Sequence, residues 1–205
     1  KTIKRKKVST LRRNIVIKVA RISQKDALKT CKRYHYTKKV QGATHYFGVW
    51  DQEQYIGCVG LGYGASPLLG RREGFETNEI CELLRVAFSG KQKHQTSMYI
   101  MKVIKLFKEK NKTIKAIYSF ADTGQNHKGI IYQAMNFIYI GLRKGSTPKY
   151  KIGNKIYHAK TMTKERMKNA IKIPNTDKHL YILPLCRSAR KKLNRIKKEY
   201  PKAEG

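Results

Sequence analysis

Apolar residues recur along the chain at two spacings, every second position and every third or fourth, and their order outlines a sheet with helices. Ile15, Ile17 and Val19 alternate with polar neighbours, which predicts a strand. Ser23 is placed to cap a helix reaching about Tyr34, with Leu28 and Cys31 on its inner side. His45–Trp50 and Tyr55–Leu61 read as strands joined by the polar turn Asp51-Gln52-Glu53-Gln54, a hairpin. Gly60, Gly62 and Gly64 follow at alternate positions, marking a flexible or closely approached segment. Ile80–Phe88 is a third hydrophobic strand. Thr96 or Ser97 then opens the strongest helix, where Ile100, Val103, Ile104 and Phe107 share one side and Lys102, Lys105 and Lys108 the other.

Ile114–Phe120 predicts a strand that ends at Ala121-Asp122-Thr123-Gly124, followed by a helix from about Lys128 to Asn136 and a strand over Phe137–Ile140. Tyr150-Lys151-Ile152 and Lys155-Ile156-Tyr157 flank Gly153-Asn154, a two-residue hairpin turn. A strand over His179–Leu185 and a basic helix over Arg187–Tyr200, stopped by Pro201, complete the pattern. Antiparallel strands first and crossover helices later predict an α/β (α+β) chain, with helices flanking a central mixed, twisted sheet. That order is similar to the GNAT acyltransferase architecture. The expected division is a basic arm over 1–13, a GNAT-like core over 14–145, and over 146–205 a basic C-terminal extension of hairpin, strand and helix packed on the core.

Charge changes the picture more than length does. Among 205 residues, 46 Lys and Arg face 13 acids, a formal net charge of +33. Such an imbalance repels itself in a compact fold and calls for a polyanion, nucleic acid first. The arm contributes Lys4, Arg5, Lys6, Lys7, Arg12 and Arg13, and the last helix Arg187, Arg190 and Lys191, as expected nucleic-acid contacts. No apolar run approaches membrane length, so no membrane partner is expected. Cys31, Cys58, Cys81 and Cys186 are scattered without metal-ligand spacing and read as thiols of a reducing cytoplasm.

Several stretches carry a more specific signal. Tyr34-His35-Tyr36, Tyr46-Phe47-Gly48-Val49-Trp50, Glu82 to Ala87, Ser119-Phe120-Ala121-Asp122 and Gly129 to Gly141 occur in that order. A tail follows with Lys178-His179, Tyr181, Pro184-Leu185, Arg190-Lys191 and Tyr200-Pro201-Lys202. Together they resemble the ordered segments of the Mom family of phage DNA-modification proteins, over roughly residues 14 to 202. The resemblance implies a GNAT-like transferase that places a carbamoylmethyl (acetamido) group on the exocyclic amine of adenine in phage DNA, in the cytoplasm of an infected host. Such a group would shield the genome from restriction. The glycine segment Gly60–Gly64 and the loop Arg71–Thr77 match the family only loosely.

The chemistry sets what a site must supply. The adenine amine is a weak nucleophile and is inaccessible in a base pair. It must be flipped out of double-stranded DNA, oriented and deprotonated, and charge on the attacked carbonyl must be stabilised. Asp122, past a strand end, is a candidate to take the proton, against its reading as a turn cap. Tyr132 matches the position where the GNAT pattern places a general acid, against a tyrosine packed in a core. His35 is a second candidate base and Tyr36 a stacking surface for an extruded base, against an ordinary helix end. Arg85, a guanidinium in an apolar strand, is expected to grip a phosphate or carboxylate of the donor, with Ser119 as a lesser donor contact. Regular alternation would turn Glu82 to the face opposite Arg85. No metal site is expected, although His127 could join His35 and Asp122.

The GNAT resemblance implies acetyl-coenzyme A as donor and a sheet that opens between Ile80–Phe88 and Ile114–Phe120. Yet the loop Ser89–Thr96 has one glycine and lacks the family's glycine-rich diphosphate fingerprint. The implied product also has a methylene, not a carbonyl, on the adenine amine. Transfer of glycine to that amine, attack of the glycyl amine on the ring carbon and collapse of the adduct would give this connectivity. Glycyl-tRNA is therefore the expected donor, and acetyl-coenzyme A the alternative. Two competing classes remain: a non-catalytic basic protein of ribosomal or packaging type, and a GNAT-like enzyme acting on RNA or protein.

Overall fold

The computed structural model describes residues 16–40, 42–63, 69–145, 148–159 and 162–202. The basic arm, Ile15 and Gly64 lie outside them. Strand β1 (Ile17–Arg21) leads into helix α1 (Gln24–Tyr34), which Ser23 caps by accepting from the Asp26 N–H. Strands β2 (His45–Asp51) and β3 (Gln54–Gly62) form the expected hairpin. Its turn residues Gln52 and Glu53 both have positive φ, the twist a tight hairpin requires. Then come β4 (Ile80–Phe88), α2 (Thr96–Lys110), β5 (Ala116–Asp122), α3 (Ile130–Ala134) and β6 (Ile138–Arg143). A small unit follows: β7 (Lys149–Ile152), β8 (Lys155–His158), α4 (Lys164–Lys168) and β9 (Ile171–Ile173). Strand β10 (Lys178–Pro184) and helix α5 (Arg187–Asn194) come last.

Seven strands make one sheet in the order β1-β2-β3-β4-β5-β10-β6, in which only β4 and β5 are parallel. Successive residues point to opposite faces, so two cores form. On one face α2 buries Tyr99, Ile100, Val103, Ile104 and Phe107 against Phe47, Val59, Leu83 and Ile117. Each of these helix side chains contributes roughly 1.5–3 kcal/mol by leaving water. On the other face α5 sets Ala189 and Leu193 against Tyr118, Leu180 and Ile182, and α1 sets Ala27 and Cys31 against Tyr46 and Cys58. Cys31, Cys58 and Cys81 are buried, and Cys186 is half-buried. Among the described residues no helix is long and apolar enough to cross a membrane.

Three expectations are corrected. Strand β10 does not pack on the core from outside but lies between β5 and β6 as a strand of the central sheet. Helix α5 stops at Asn194 rather than Tyr200. There the chain turns back onto β6, where the Lys198 N–H donates to the Tyr139 carbonyl (2.8 Å) and the Tyr200 hydroxyl to the Phe137 carbonyl (2.7 Å). Helix α3 covers five residues instead of nine because Gly129 and Asn136, at its two ends, take left-handed backbone.

Candidate active site

Strands β4 and β5 pair at Ile80–Ala116, Cys81–Ile117 and Glu82–Tyr118, and then part. At the parting point β4 bulges: Gly60 and Leu61 of β3 face Arg85 and Leu83, leaving Leu84 as the extra residue. Gly60 belongs there, since a Cβ would come within 3.2 Å of the Arg85 Cβ. The opening is a cleft of about 470 Å³, walled by Glu82–Val86 on one side and Phe120–Asp122 on the other. Tyr34, His35 and Tyr36 at the end of α1, and residues 126–132 at the start of α3, complete it.

The bulge resets side-chain alternation, so Glu82 and Arg85 both line the cleft. This corrects their expected placement on opposite faces. Burial raises the Glu82 carboxyl to about 7, against the pull of Lys178 and Arg85. Arg85 is held by two carbonyls, its Nε donating to Lys39 (2.7 Å) and its Nη1 to Leu84 (2.6 Å). Sequence reasoning placed Glu82 only within a motif. An acid and a base three apart in an apolar strand were the available signal of a bulge. His127, Lys128 and Lys178 also line the cleft.

Asp122 ends β5, and its Oδ1 accepts from the Gly124 N–H (2.9 Å), capping the turn Thr123–Gln125. The capping reading is thus fulfilled by one oxygen of a carboxylate that also lines the cleft. His35 caps the C-terminus of α1. Its Nδ1 accepts from the Thr37 backbone N–H (3.1 Å), which puts the ring proton of the neutral form on Nε2. Burial, then Arg85, Lys38 and His127, lower its pKa to about 4. At neutral pH His35 is a neutral imidazole whose Nδ1 lone pair is engaged by Thr37 and whose Nε2–H can donate. Tyr36 stacks on His35 (4.6 Å) and meets His127 edge-on (5.9 Å) with 56% of its surface exposed.

Tyr132 lines the cleft from α3, packed on Phe137 and Tyr181 (5.5 and 5.4 Å). Burial raises its pKa, with the Ser119 hydroxyl acting the other way, so it stays a neutral phenol. Gly129 positions this helix: its φ is 73°, and a Cβ would stand 2.4 Å from the Tyr181 ring. Ser119 is fully buried and donates to the Leu83 carbonyl (3.2 Å). It ties β5 to the bulged strand and does not face the cleft itself. Arg187, Arg190 and Lys191 are exposed on α5, away from α2 and α3 on the other face of the sheet. The remaining expected nucleic-acid contacts, Lys4 to Arg13, lie outside the described residues.

The loop between β4 and α2 closes on the protein itself. Buried Asp51 accepts from the Lys93 N–H (3.3 Å) and the Tyr99 hydroxyl (2.6 Å), which in turn accepts from the His94 N–H (3.2 Å). The Lys91 N–H donates to the Ser89 Oγ (3.3 Å). Three of the loop's amides are therefore taken, with a carboxylate behind two of them, while the first amides of α2 are not among those engaged. Among the described residues no group of three or more His, Cys, Asp or Glu is arranged to hold a metal ion.

Known proteins agree on the fold. A probable acetyltransferase from Staphylococcus epidermidis superposes with a TM-score of 0.51 at 12% identity, over 83% of this chain and 100% of that one. A Bacillus subtilis acetyltransferase in complex with CoA gives 0.50 at 10% identity, over 84% and 99%. The fold is GNAT-like. In sequence, the methylcarbamoylase Mom of Escherichia phage Mu is 28% identical over 184 residues, covering 78% of this chain and 72% of that protein. The pattern of the Mom protein family matches residues 16–202, from the start of the first strand to the tail that returns on β6, and the chain belongs to that family.

Proposed function

We propose that the protein is a DNA-modifying transferase that adds a carbamoylmethyl group to the exocyclic amine of adenine in phage DNA and so protects it from restriction. The observation that carries this reading is the cleft where the parallel strands part. It brings a carboxyl raised to about 7, a second carboxylate and a neutral phenol to one opening.

An adenine extruded from the duplex stacks on Tyr36 at the mouth. Asp122 accepts a hydrogen bond from its amine and fixes the nucleophile's direction. Glu82, poised near neutrality, takes the proton as the amine attacks. Arg85 and the Nε2–H of His35 face the charge that develops on the carbonyl oxygen, and the Tyr132 phenol protonates the leaving group. Ser119 acts on the site through Leu83 and Tyr132 rather than by touching the donor.

The donor is an activated acyl group. Glycyl-tRNA rests on the connectivity of the product alone: once the amine is acylated, the glycyl amine attacks the ring carbon and that carbon's bond to the original nitrogen breaks, leaving nitrogen–methylene–carboxamide. The GNAT-like fold supports an acyl-coenzyme A donor, but acetyl transfer by itself would leave an N-acetyl group, so acetyl-coenzyme A fits only if the product is that amide. Incubating protein and DNA with isotopically labelled glycyl-tRNA or acetyl-coenzyme A separates them, because label in adenine from the coenzyme alone removes the tRNA reading. A purely nucleic-acid-binding role gives no reason for Glu82 and Tyr132 to be held at one opening. Such a role requires that DNA exposed to the protein with either donor stay unmodified.

A further inference from the structure

The chain between β6 and β10 builds a second sheet, in the order β8-β7-β9. Its strands carry Lys149, Lys151, Lys155 and Lys172 and no acid, and α4 adds Lys164, Arg166 and Lys168 against Glu165. Register aligns Ile156, Lys151 and Ile171 in one row across the three strands. Both isoleucines are largely exposed, 62% and 69%. A row of bare isoleucines beside lysines is poorly explained by folding alone, which would bury the one and scatter the other.

The root of this sheet is fixed beside the cleft. β6 ends at Arg143 and β10 begins at Lys178, and Lys178 is in register with both Arg143 and Asp122. The Thr123 N–H and hydroxyl both donate to the Asp177 carbonyl (3.1 and 2.8 Å). The Gly145 N–H donates to the Asp177 Oδ1 (3.0 Å), and Thr176 packs so closely on Gly124 that a Cβ there would clash at 2.3 Å. The second stem is thus stitched to the loop that follows Asp122, and the first stem to the second.

We propose that the sheet of β7, β8 and β9 forms a docking appendage for duplex DNA, seated in the major groove next to the adenine that enters the cleft. The proposal rests on the DNA-transferase reading and names how that site meets its substrate. A B-form major groove roughly 12 Å wide admits two strands about 4.8 Å apart, so β7 enters with one neighbour and the third strand lies at the rim. Lys149 and Lys151, on the same face as the isoleucines, reach phosphates, while Ile156 and Ile171 meet base edges such as thymine methyl groups. The deep, narrow major groove of duplex RNA would not admit the sheet, which favours DNA.

The test compares the full chain with Lys149→Gln/Lys151→Gln and with Ile156→Ser/Ile171→Ser, all on one face of the sheet. Affinity for duplex DNA is measured against salt, and modification kinetics on duplex and single-stranded oligonucleotides. Each phosphate contact contributes about 0.9 to the salt slope, so the double lysine variant should be shallower by about 1 to 2. Its KM for duplex should rise at least about tenfold while kcat on single strands holds. The isoleucine pair should lose duplex affinity with little change in slope. Unchanged duplex slope and KM, equal losses on single strands, or losses confined to RNA would each overturn the proposal. If the unaltered protein modifies no DNA at all, the transferase reading fails, and the slopes still judge the appendage.

Discussion

Replacing Glu82 by Gln should make the protein more stable and less active, and the pH dependence of the first effect follows from the cleft. Burial carries this carboxyl from an ordinary 4.5 to about 7. At roughly 1.4 kcal/mol per tenfold change in proton affinity, an ionised Glu82 costs the folded state about 3 kcal/mol. Below pH 4.5 the group is protonated folded and unfolded and costs nothing. Between 4.5 and about 7 the folded chain holds the proton more tightly than the unfolded chain, so stability falls as pH rises. Above about 7 the loss is complete and constant. Glutamine has the same shape and no charge, so Glu82→Gln should gain up to about 3 kcal/mol at pH 8, a rise in Tm of roughly 5–10 °C for a chain of this size. At pH 4 it should gain almost nothing. The difference between the two thermal melting curves, taken from pH 4 to 8, isolates the residue from the titration of everything else. Parallel curves would refute the reasoning, because they would mean that Glu82 is not desolvated. In the modification assay the variant should lose at least about a hundredfold in kcat. The unaltered protein should lose activity about tenfold per unit as pH falls below about 7.

Asp122→Asn and Tyr132→Phe each remove one chemical function at constant size, so modification should fall by about 100-fold or more while melting temperature and DNA affinity hold; near-normal activity in either variant strikes that residue from the mechanism. Gly129→Ala forces a side chain into left-handed backbone and against the Tyr181 ring, and should lower stability by at least about 2 kcal/mol in denaturant unfolding; an unchanged midpoint would contradict the close approach. Affinity for nonspecific DNA should fall steeply with salt, and deletion of Lys1–Arg13 should flatten the dependence without abolishing chemistry. A salt-independent affinity would assign the basic surface to another partner.

Periodicity made α1, α2 and the β2–β3 hairpin legible, because each buries one face whose spacing is written locally. The position of β10 was not, since a hydrophobic strand near the end of a chain does not say which edge or gap will receive it. The parting of β4 and β5 followed from the GNAT resemblance, whereas the bulge that turns Glu82 toward Arg85 depends on Gly60 of the neighbouring strand. An alternation rule applied to one strand cannot contain that. Asp122, Tyr132, His35 and Tyr36 were found as residues and do share one opening. The protonation of His35, Tyr36 and Tyr132, and the inward burial of Ser119, depend on desolvation by segments distant in sequence. The end of α5 was missed for a related reason: its stop comes from contacts of Lys198 and Tyr200 with β6, and no breaker stands at Asn194.

The central claim is most directly tested by mass spectrometry of nucleosides from the DNA and RNA of cells expressing the protein, with the Asp122→Asn variant alongside. The account predicts a carbamoylmethyl derivative of deoxyadenosine in DNA that is absent from the variant and from RNA. Unmodified DNA, or a new nucleoside confined to RNA, would contradict it.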